Sequence, residues 1–143
     1  MAKRKIKIVL DTNWYISATI NRQSRRTIYP VLTHSNISIY YSRELFEEYE
    51  RVIKRPTFSK YVSIHHVNRF MKLVLPKLKP IEVTSAIQLS RDKKDDFILS
   101  LAKDAKAHYI ITADNDLLVL KKLGKTKIVT MKEFLAAQGF NKE

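Results

Sequence analysis

Acidic residues are scarce in this sequence, 14 against 27 Lys and Arg among 143 residues, so their positions are informative. Asp11 follows directly on the β-branched segment Ile6–Leu10, and Asp114 lies two residues after the similar segment 109–112. Both segments are typical of strands. If the strands are neighbours in a parallel sheet, their carboxyl ends share one edge and the two carboxylates can meet there. The alternatives are a helix N-cap for Asp114, a role that Asp often fills, and a turn position for Asp11.

A third candidate carboxylate lies on a predicted helix. Ser42 favours a helix start, and apolar residues follow it at helical spacing. Glu48 comes three residues after Leu45 and four before Val52, so it borders the apolar stripe, whereas Glu47 faces solvent. A carboxylate on that border is unfavourable unless it is paired or binds a metal. The alternative is a boundary Glu that extends to solvent.

Three acids open the next strongly predicted helix. Asp92 is the expected N-cap. Asp95 lies three residues before Ile98 and seven before Ala102, which turns it toward the packed face, while Asp96 is rotated away. Acids in a first turn also interact favourably with the helix dipole, so a purely structural interpretation remains open for all three.

Carboxylates that converge in one cleft repel one another, and hard divalent cations bound through oxygen relieve this repulsion. A bound metal lowers the pKa of its water and stabilises the charge on the attacking and leaving oxygens of a phosphodiester. The net charge of +13 independently favours a polyanionic partner, usually nucleic acid, over a basic surface that only aids solubility. Lys and Arg would hold the backbone while the metal cuts it.

The remaining patterns predict an α/β fold in one domain, residues 1–143. Further strands are expected at Ile37–Tyr41, at 127–129 and, more weakly, at 81–84. Further helices are expected over 67–78 with an interruption at Pro76, from Asp114 to a stop at Gly124, and over 131–138. Alternating strands and helices imply a parallel sheet with helices on both faces, which binds ligands beyond the carboxyl ends of its strands.

Several classes of protein are excluded or disfavoured. The absence of cysteine excludes disulfides, zinc-thiolate sites and thiol catalysis, and it is compatible with the cytoplasm. No apolar run approaches the roughly 20 residues of a membrane span. The N-terminal apolar stretch breaks at Asp11, too early for a signal peptide. The histidines, including adjacent His65 and His66, have no metal-binding spacing, and Ser42 has no His and Asp partners for a hydrolytic triad.

Four segments, taken in order, resemble the motifs of PIN-domain nucleases. They are IVLDTN at 8–13, SRELFEEY at 42–49, RDKKDD at 91–96 and ITADNDLL at 111–118. One such motif is a weak signal, whereas four in order, spread over residues 6–134, are specific. The segment RPTF at 55–58 resembles the toxin subgroup of these proteins.

This resemblance implies a three-layer α/β/α sandwich with a central parallel sheet and an endoribonuclease activity that depends on Mg²⁺ or Mn²⁺. It implies a catalytic quartet of Asp11, Glu48, Asp95 and Asp114, a metal set of Asp11, Asp95, Asp114 and the variable acid Asp116, and orientation of the first carboxylate by Thr12 and Asn13. The expected partners are RNA, an antitoxin protein and a second copy of the chain. Ala113 departs from a common Gly and Trp14 from a usual aliphatic residue.

Three alternative functions remain. The first is a housekeeping nuclease of RNA maturation that uses the same site. The second is a catalytically silent RNA-binding module, against which the intact acidic set argues, because a protein that binds a polyanion gains nothing by burying acids. The third is a phosphate-dependent signalling receiver, which the high basic charge and the lack of a suitably placed strand-end lysine disfavour.

Overall fold

The computed structural model describes residues 5–89 and 93–140 and places a six-stranded sheet at the centre of the protein. The strands are β1 (Ile6–Leu10), β2 (Ile37–Tyr41), β3 (Lys79–Pro80), β4 (Tyr109–Ile111), β5 (Lys122–Leu123) and β6 (Thr126–Val129). The α-helices are α1 (Thr12–Ile20), α2 (Arg22–Thr33), α3 (Arg43–Ile53), α4 (Pro56–Ser59), α5 (Ile64–Val74), α6 (Lys93–Ala105), α7 (Asn115–Leu118) and α8 (Met131–Ala137). No helix within the described ranges is long and apolar enough to cross a lipid bilayer.

The strand order explains why residues distant in sequence meet. The sheet runs β3-β2-β1-β4-β6-β5, so the first strand lies in the middle and pairs in parallel with both β2 and β4. Leu10 is opposite Ile111 in the β1–β4 register. The pairs β2–β3 and β4–β6 are also parallel, whereas the edge strand β5 is antiparallel to β6. The carboxyl ends of β1 and β4 therefore adjoin, as the sequence predicted.

Helices cover both faces of this sheet, which confirms the predicted three-layer arrangement. Ile8, Val9 and Leu10 are all fully buried, although successive residues of a strand point to opposite faces. Right-handed crossovers place the helices between β1 and β3 on one face and α6, which returns from β3 to β4, on the other. Buried Tyr49 of α3 and Leu99 of α6 belong to the core formed in this way.

Residues 12–33 form two helices that the sequence patterns did not predict. Helix α1 buries Tyr15, Ile16, Ala18 and Thr19 on several sides, so it has no distinct apolar stripe. It begins after Asp11, whose side chain makes no capping hydrogen bond to the helix. The periodic apolar signal that would normally reveal a helix is therefore missing from α1.

Other predicted boundaries were confirmed or corrected. The predicted strand at 81–84 is wrong, because the ladder with β2 ends at Pro80 and the chain then continues without regular structure. The helix after Asp114 ends at Leu118, and Gly124 lies instead in the tight β5–β6 turn with a φ of 58°. Helix α5 does end before Pro76, within a 3-10 turn. The predicted cap Asp92 lies outside the described residues.

Candidate metal centre

Asp11 occupies the junction between the two central strands. Its backbone N–H donates to Ile111 O at 3.0 Å, which continues the β1–β4 ladder by one residue. Its side chain is 5% exposed, and the hydroxyl of Thr112 donates to its Oδ2 at 2.6 Å. The carboxylate is thus held at the carboxyl edge of the sheet by a residue that immediately follows β4.

A short chain of hydrogen bonds connects this carboxylate to the backbone of Asp114. The backbone N–H of Asp114 donates to Thr112 Oγ1 at 2.9 Å, while that hydroxyl donates to Asp11. The carboxylate of Asp114 in turn accepts the backbone N–H of Asp116 at 2.9 Å and caps α7. Asp114 therefore has the helix N-cap role considered from the sequence, and its position also serves the acidic cluster.

Three carboxylates come close enough together to share a cation. Asp95, Asp114 and Asp116 each offer one oxygen, and these oxygens all lie within 4.8 Å of one another. Ligands of an octahedral Mg²⁺ are about 3.0 Å apart when adjacent and about 4.2 Å apart when opposite, so shifts of these side chains would bring the three oxygens onto one cation, with waters in the remaining positions. Asp95 is buried, while Asp114 and Asp116 are half-buried and leave a side open to solvent. An all-oxygen donor set with an open side fits Mg²⁺ or Mn²⁺.

Glu48 reaches the same region from α3. Its side chain is 15% exposed, its Oε2 is buried without a hydrogen-bond partner among the described residues, and the Nη2 of Arg51 lies 3.8 Å from that oxygen. Arg51 is itself 58% exposed, so this ion pair is largely screened by solvent. A buried carboxylate oxygen without a hydrogen bond is unfavourable, and a cation or an ordered water would satisfy it.

The electrostatics of Asp11 record how close these acids are. Burial raises the pKa of Asp11 above its ordinary value, and the charges of Asp114 and Glu48 raise it further. Hydrogen bonds from Thr112 and from the backbone of Asn13 oppose this shift by stabilising the carboxylate. The ionised form of Asp11 is therefore disfavoured in the protein without a cation, and a nearby cation would stabilise it.

Helix α6, which carries Asp95, is fixed to the preceding segment 84–89 by a regular set of hydrogen bonds. The backbone N–H of Ser85 donates to the carboxylate of Asp104 at 3.0 Å. The N–H of Ile87 donates to the hydroxyl of Ser100 at 2.9 Å, and that of Leu89 donates to the carboxylate of Asp96 at 3.0 Å. Two residues of extended chain advance about 6.6 Å and four residues of helix about 6.0 Å, so the two periods match. The segment therefore runs along α6 and fixes the helix that positions Asp95.

The structure brings Asp95, Asp114 and Asp116 together, and the charges of Asp114 and Glu48 act on nearby Asp11. Asp11 is not a member of the three-oxygen group but lies beside it. Asn13 acts on Asp11 through its backbone, and the Thr12 hydroxyl is buried without a partner among the described residues. Thr112 makes the contact expected of Thr12, and sequence reasoning missed it. Trp14 lines a cavity of about 360 Å³ beside Thr112.

The fold and this site define an α/β protein with a carboxylate centre at the carboxyl edge of its sheet. A family model for the PIN domain matches residues 7–116. An uncharacterized protein of Methanocaldococcus jannaschii is 31% identical over 148 residues, which cover 94% of this chain and 93% of that protein. The chain belongs to the PIN domain family, a family of nucleases.

Two solved structures are similar in fold. One is VapBC2 from Rickettsia felis bound to a DNA fragment from their promoter, with a TM-score of 0.59 and 15% identity over 86% of this chain and 97% of the matched chain. The other is PAE2754 from Pyrobaculum aerophilum, with a TM-score of 0.61 and 16% identity over 96% and 91% of the two chains. At these identities the likeness concerns the fold.

Proposed function

We propose that this protein is a Mg²⁺- or Mn²⁺-dependent endoribonuclease that acts as the toxin of a toxin–antitoxin pair. The observation that carries the proposal is the group of carboxylate oxygens from Asp95, Asp114 and Asp116 within 4.8 Å of one another, beside buried Asp11. Such a group has little use in a protein of net charge +13 that only binds a polyanion, but it suits one that also hydrolyses it.

The chain's own residues divide the work. Asp95, Asp114 and Asp116 would hold the cation, with Asp11 and Glu48 directing further negative charge at it. When bound, the cation supplies an activated water and stabilises charge on the phosphate oxygens. Thr112 holds Asp11 in one orientation through its hydroxyl. Basic side chains around this acidic centre would bind the flanking phosphates of the RNA.

The toxin role rests on two supports of different kinds. The segment RPTF at 55–58 resembles the toxin subgroup of the family, and the fold matches VapBC2. An antitoxin protein is accordingly the proposed partner. The competing proposal is a housekeeping nuclease of RNA maturation, which would use the same carboxylates but would not arrest growth.

The test compares the purified wild type with Asp114→Asn and Asp95→Asn on a labelled RNA and on DNA of the same sequence. We expect RNA cleavage with Mg²⁺ or Mn²⁺, none in EDTA, and a loss of about 100-fold or more in each variant because a ligand is removed. RNA binding without cleavage by any form would instead identify a silent binding module. Expression in cells separates the two nucleases, since a toxin arrests growth and its Asp114→Asn variant does not.

A further inference from the structure

The amino ends of the central strands, opposite the carboxylates, form a second charged surface. Two adjoining cavities open there, one of about 800 Å³ and one of about 400 Å³, and both are lined by His108 and Lys125. The basic residues around them are Lys5, Lys103, Lys106, His108, Lys125 and Lys127. We call this surface the amino-edge cleft.

The charge of this cleft is of one sign. No Asp or Glu is among the described residues that line either cavity. The acid nearest in sequence on α6 is Asp104, and its carboxylate accepts hydrogen bonds from Thr84 and Ser85 and lines neither cavity. The charged side chains that line the cleft at the amino end are thus all basic, whereas the group of Asp95, Asp114 and Asp116 lies at the carboxyl end.

Backbone hydrogen bonds join three strands at the floor of the cleft. The His108 N–H donates to Lys7 O at 2.7 Å, and the Lys127 N–H donates to His108 O at 3.0 Å, so His108 joins β1, β4 and β6. Its ring Nδ1 accepts the Lys7 N–H at 2.9 Å. In the neutral ring the proton therefore lies on Nε2, which leaves a donor available to a phosphate oxygen.

One lysine of the cleft occupies a backbone position that disfavours it. Lys106 follows α6 with a φ of 53°, and the hydrogen bonds from Lys106 N to Lys103 O and from Ala107 N to Ala102 O form a Schellman motif. Glycine is the usual residue there, because a side chain in the left-handed region is unfavourable by about 1 kcal/mol. A lysine at this position adds charge to the cleft at some expense of stability.

We propose that the amino-edge cleft is a second RNA-binding surface, which holds the phosphate backbone of a long substrate away from the carboxylates. The proposal rests on RNA being the substrate and adds where the rest of that RNA lies. A row of flexible lysines with one histidine donor suits a chain of repeated phosphates more than a single small anion.

The geometry makes the contribution depend on RNA length. The five residues of β1 separate the two edges by about 17 Å at 3.3 Å per residue. Stacked nucleotides advance about 3.4 Å each, so a substrate needs more than about five nucleotides beyond the cut to reach the cleft. A very short RNA can occupy the carboxylates alone, whereas a long one can use both surfaces.

The experiment uses two triple variants with the same change in charge. Lys103, Lys125 and Lys127 are replaced by Gln in one, and exposed Lys54, Lys72 and Lys77, which lie on other elements, are replaced by Gln in the other. Binding is measured in EDTA with RNAs of about four and about thirty nucleotides, over a range of salt concentrations. Cleavage of both RNAs is measured separately with Mn²⁺.

We expect the cleft triple to bind the long RNA at least tenfold more weakly, with a salt slope reduced by about 0.7 per lost phosphate contact, and to treat the short RNA as the wild type does. The control triple should lose much less. Equal losses in the two triples, or equal losses on both RNAs, would overturn the proposal. A cleft triple that loses affinity for polyglutamate but not for long RNA would assign the surface to an acidic protein instead.

A pair of single variants distinguishes loss of RNA binding from loss of stability. Lys121 also has a left-handed backbone, with a φ of 65°, but lies outside the lining of the cleft. Lys106→Gly and Lys121→Gly should both raise the melting temperature by relieving strain. Only Lys106→Gly should weaken binding of the long RNA. If no form cleaves RNA but this binding pattern holds, the proposed nuclease fails and the cleft stands; unchanged binding by Lys106→Gly counts against the cleft alone.

Discussion

The hydroxyl of Thr112 bridges Asp11 and Asp114: it donates to Oδ2 of Asp11 at 2.6 Å and accepts the backbone N–H of Asp114 at 2.9 Å. Asp11 and Thr112 are 101 residues apart in sequence, and the parallel pairing of β1 with β4 brings them together. A single hydroxyl therefore links the carboxylate of Asp11 to the backbone of Asp114.

Replacement of Thr112 by Val should impair activity more than folding. The substitution keeps the shape of the side chain but removes the donor to Asp11, and loss of a residue that orients a metal-site carboxylate commonly lowers activity or metal affinity about 10- to 100-fold. Thr19→Val is the matched control, since the buried Thr19 hydroxyl donates to Tyr15 O at 2.7 Å within α1 and belongs neither to the carboxylate group nor to the lining of the amino-edge cleft. Cleavage rates and thermal melts of both variants provide the measurement, and equal loss of activity in the two would refute the role of Thr112.

The register of α3 makes a separate prediction. Glu48→Gln should abolish cleavage with little loss of folding, because the Oε2 of Glu48 is buried without a hydrogen-bond partner among the described residues and its charge raises the pKa of Asp11. Exposed Glu47→Gln should leave cleavage near the wild-type rate. RNA cleavage at a fixed Mn²⁺ concentration distinguishes them, and a normal rate in Glu48→Gln would remove this glutamate from the mechanism.

The contact between segment 84–89 and α6 should be sensitive to acid. Hydrogen bonds from the Ser85 side chain, first, and from the backbones of Ser85 and Thr84 lower the pKa of Asp104 below its ordinary value of 3.8. A carboxyl with a lowered folded pKa stabilises the fold above its unfolded pKa, and this contribution is lost as pH falls through the lower folded value. Because Asp104 lies at the surface, where solvent screens its charge, the contribution is about 1 kcal/mol or less.

Asp104→Asn should therefore be less stable than the wild type near neutral pH, and the difference should vanish as the pH is lowered below about 3.8. Denaturant melts between neutral and strongly acidic pH measure it, with exposed Glu50→Gln as the control. A stability difference that stays constant across this range would show that the charge of Asp104 plays no part.

The sequence predicted the parts of this protein that depend on local pattern and on one topological rule. The apolar, β-branched runs predicted the bounds of β1 and β2. The helical phase predicted that Glu48 borders the core, and the shared edge of parallel strands predicted that Asp11 lies near Asp114. Thr112 could not be found in this way, because a threonine after a strand has no distinguishing pattern and its partner is distant in sequence.

The two wrong secondary-structure predictions, at α1 and at 81–84, have physical causes of the same kind. Helix α1 is buried on several sides, so its apolar residues show no stripe, and Asp11 bonds to Thr112 instead of capping the helix. The apolar alternation at 81–84 is real, but the ladder with β2 ends at Pro80, and from Thr84 onward the backbone N–H groups donate to side chains of α6 instead. Hydrogen bonds to α6 therefore replace strand pairing in this part of the chain.

Divalent metal should activate the protein and also stabilise its fold, in both cases by binding to the same carboxylates. Without a cation, burial and the charges of Asp114 and Glu48 disfavour ionised Asp11. These effects lower the free energy of unfolding. A cation that binds only the folded state adds about 2.7 kcal/mol at a hundredfold excess over its dissociation constant. For a chain of this size that is a rise of several degrees in melting temperature, roughly 2–4 °C per kcal/mol.

Two variants separate the effects of repulsion and ligation. Asp11→Asn keeps an acceptor for Thr112 but removes one repelling charge, so it should melt at or above the wild-type temperature in EDTA and lose most of the Mn²⁺-dependent rise. Asp114→Asn should lose that rise as well, because it removes one oxygen of the three-carboxylate group. Glu47→Gln, remote from the cluster, should keep the full rise. The measurement is a thermal melt of each form in EDTA and across a Mn²⁺ titration. An equal rise in all four proteins would place the metal elsewhere, because a cation held by Asp114 cannot stabilise the fold unchanged once that ligand has lost its charge.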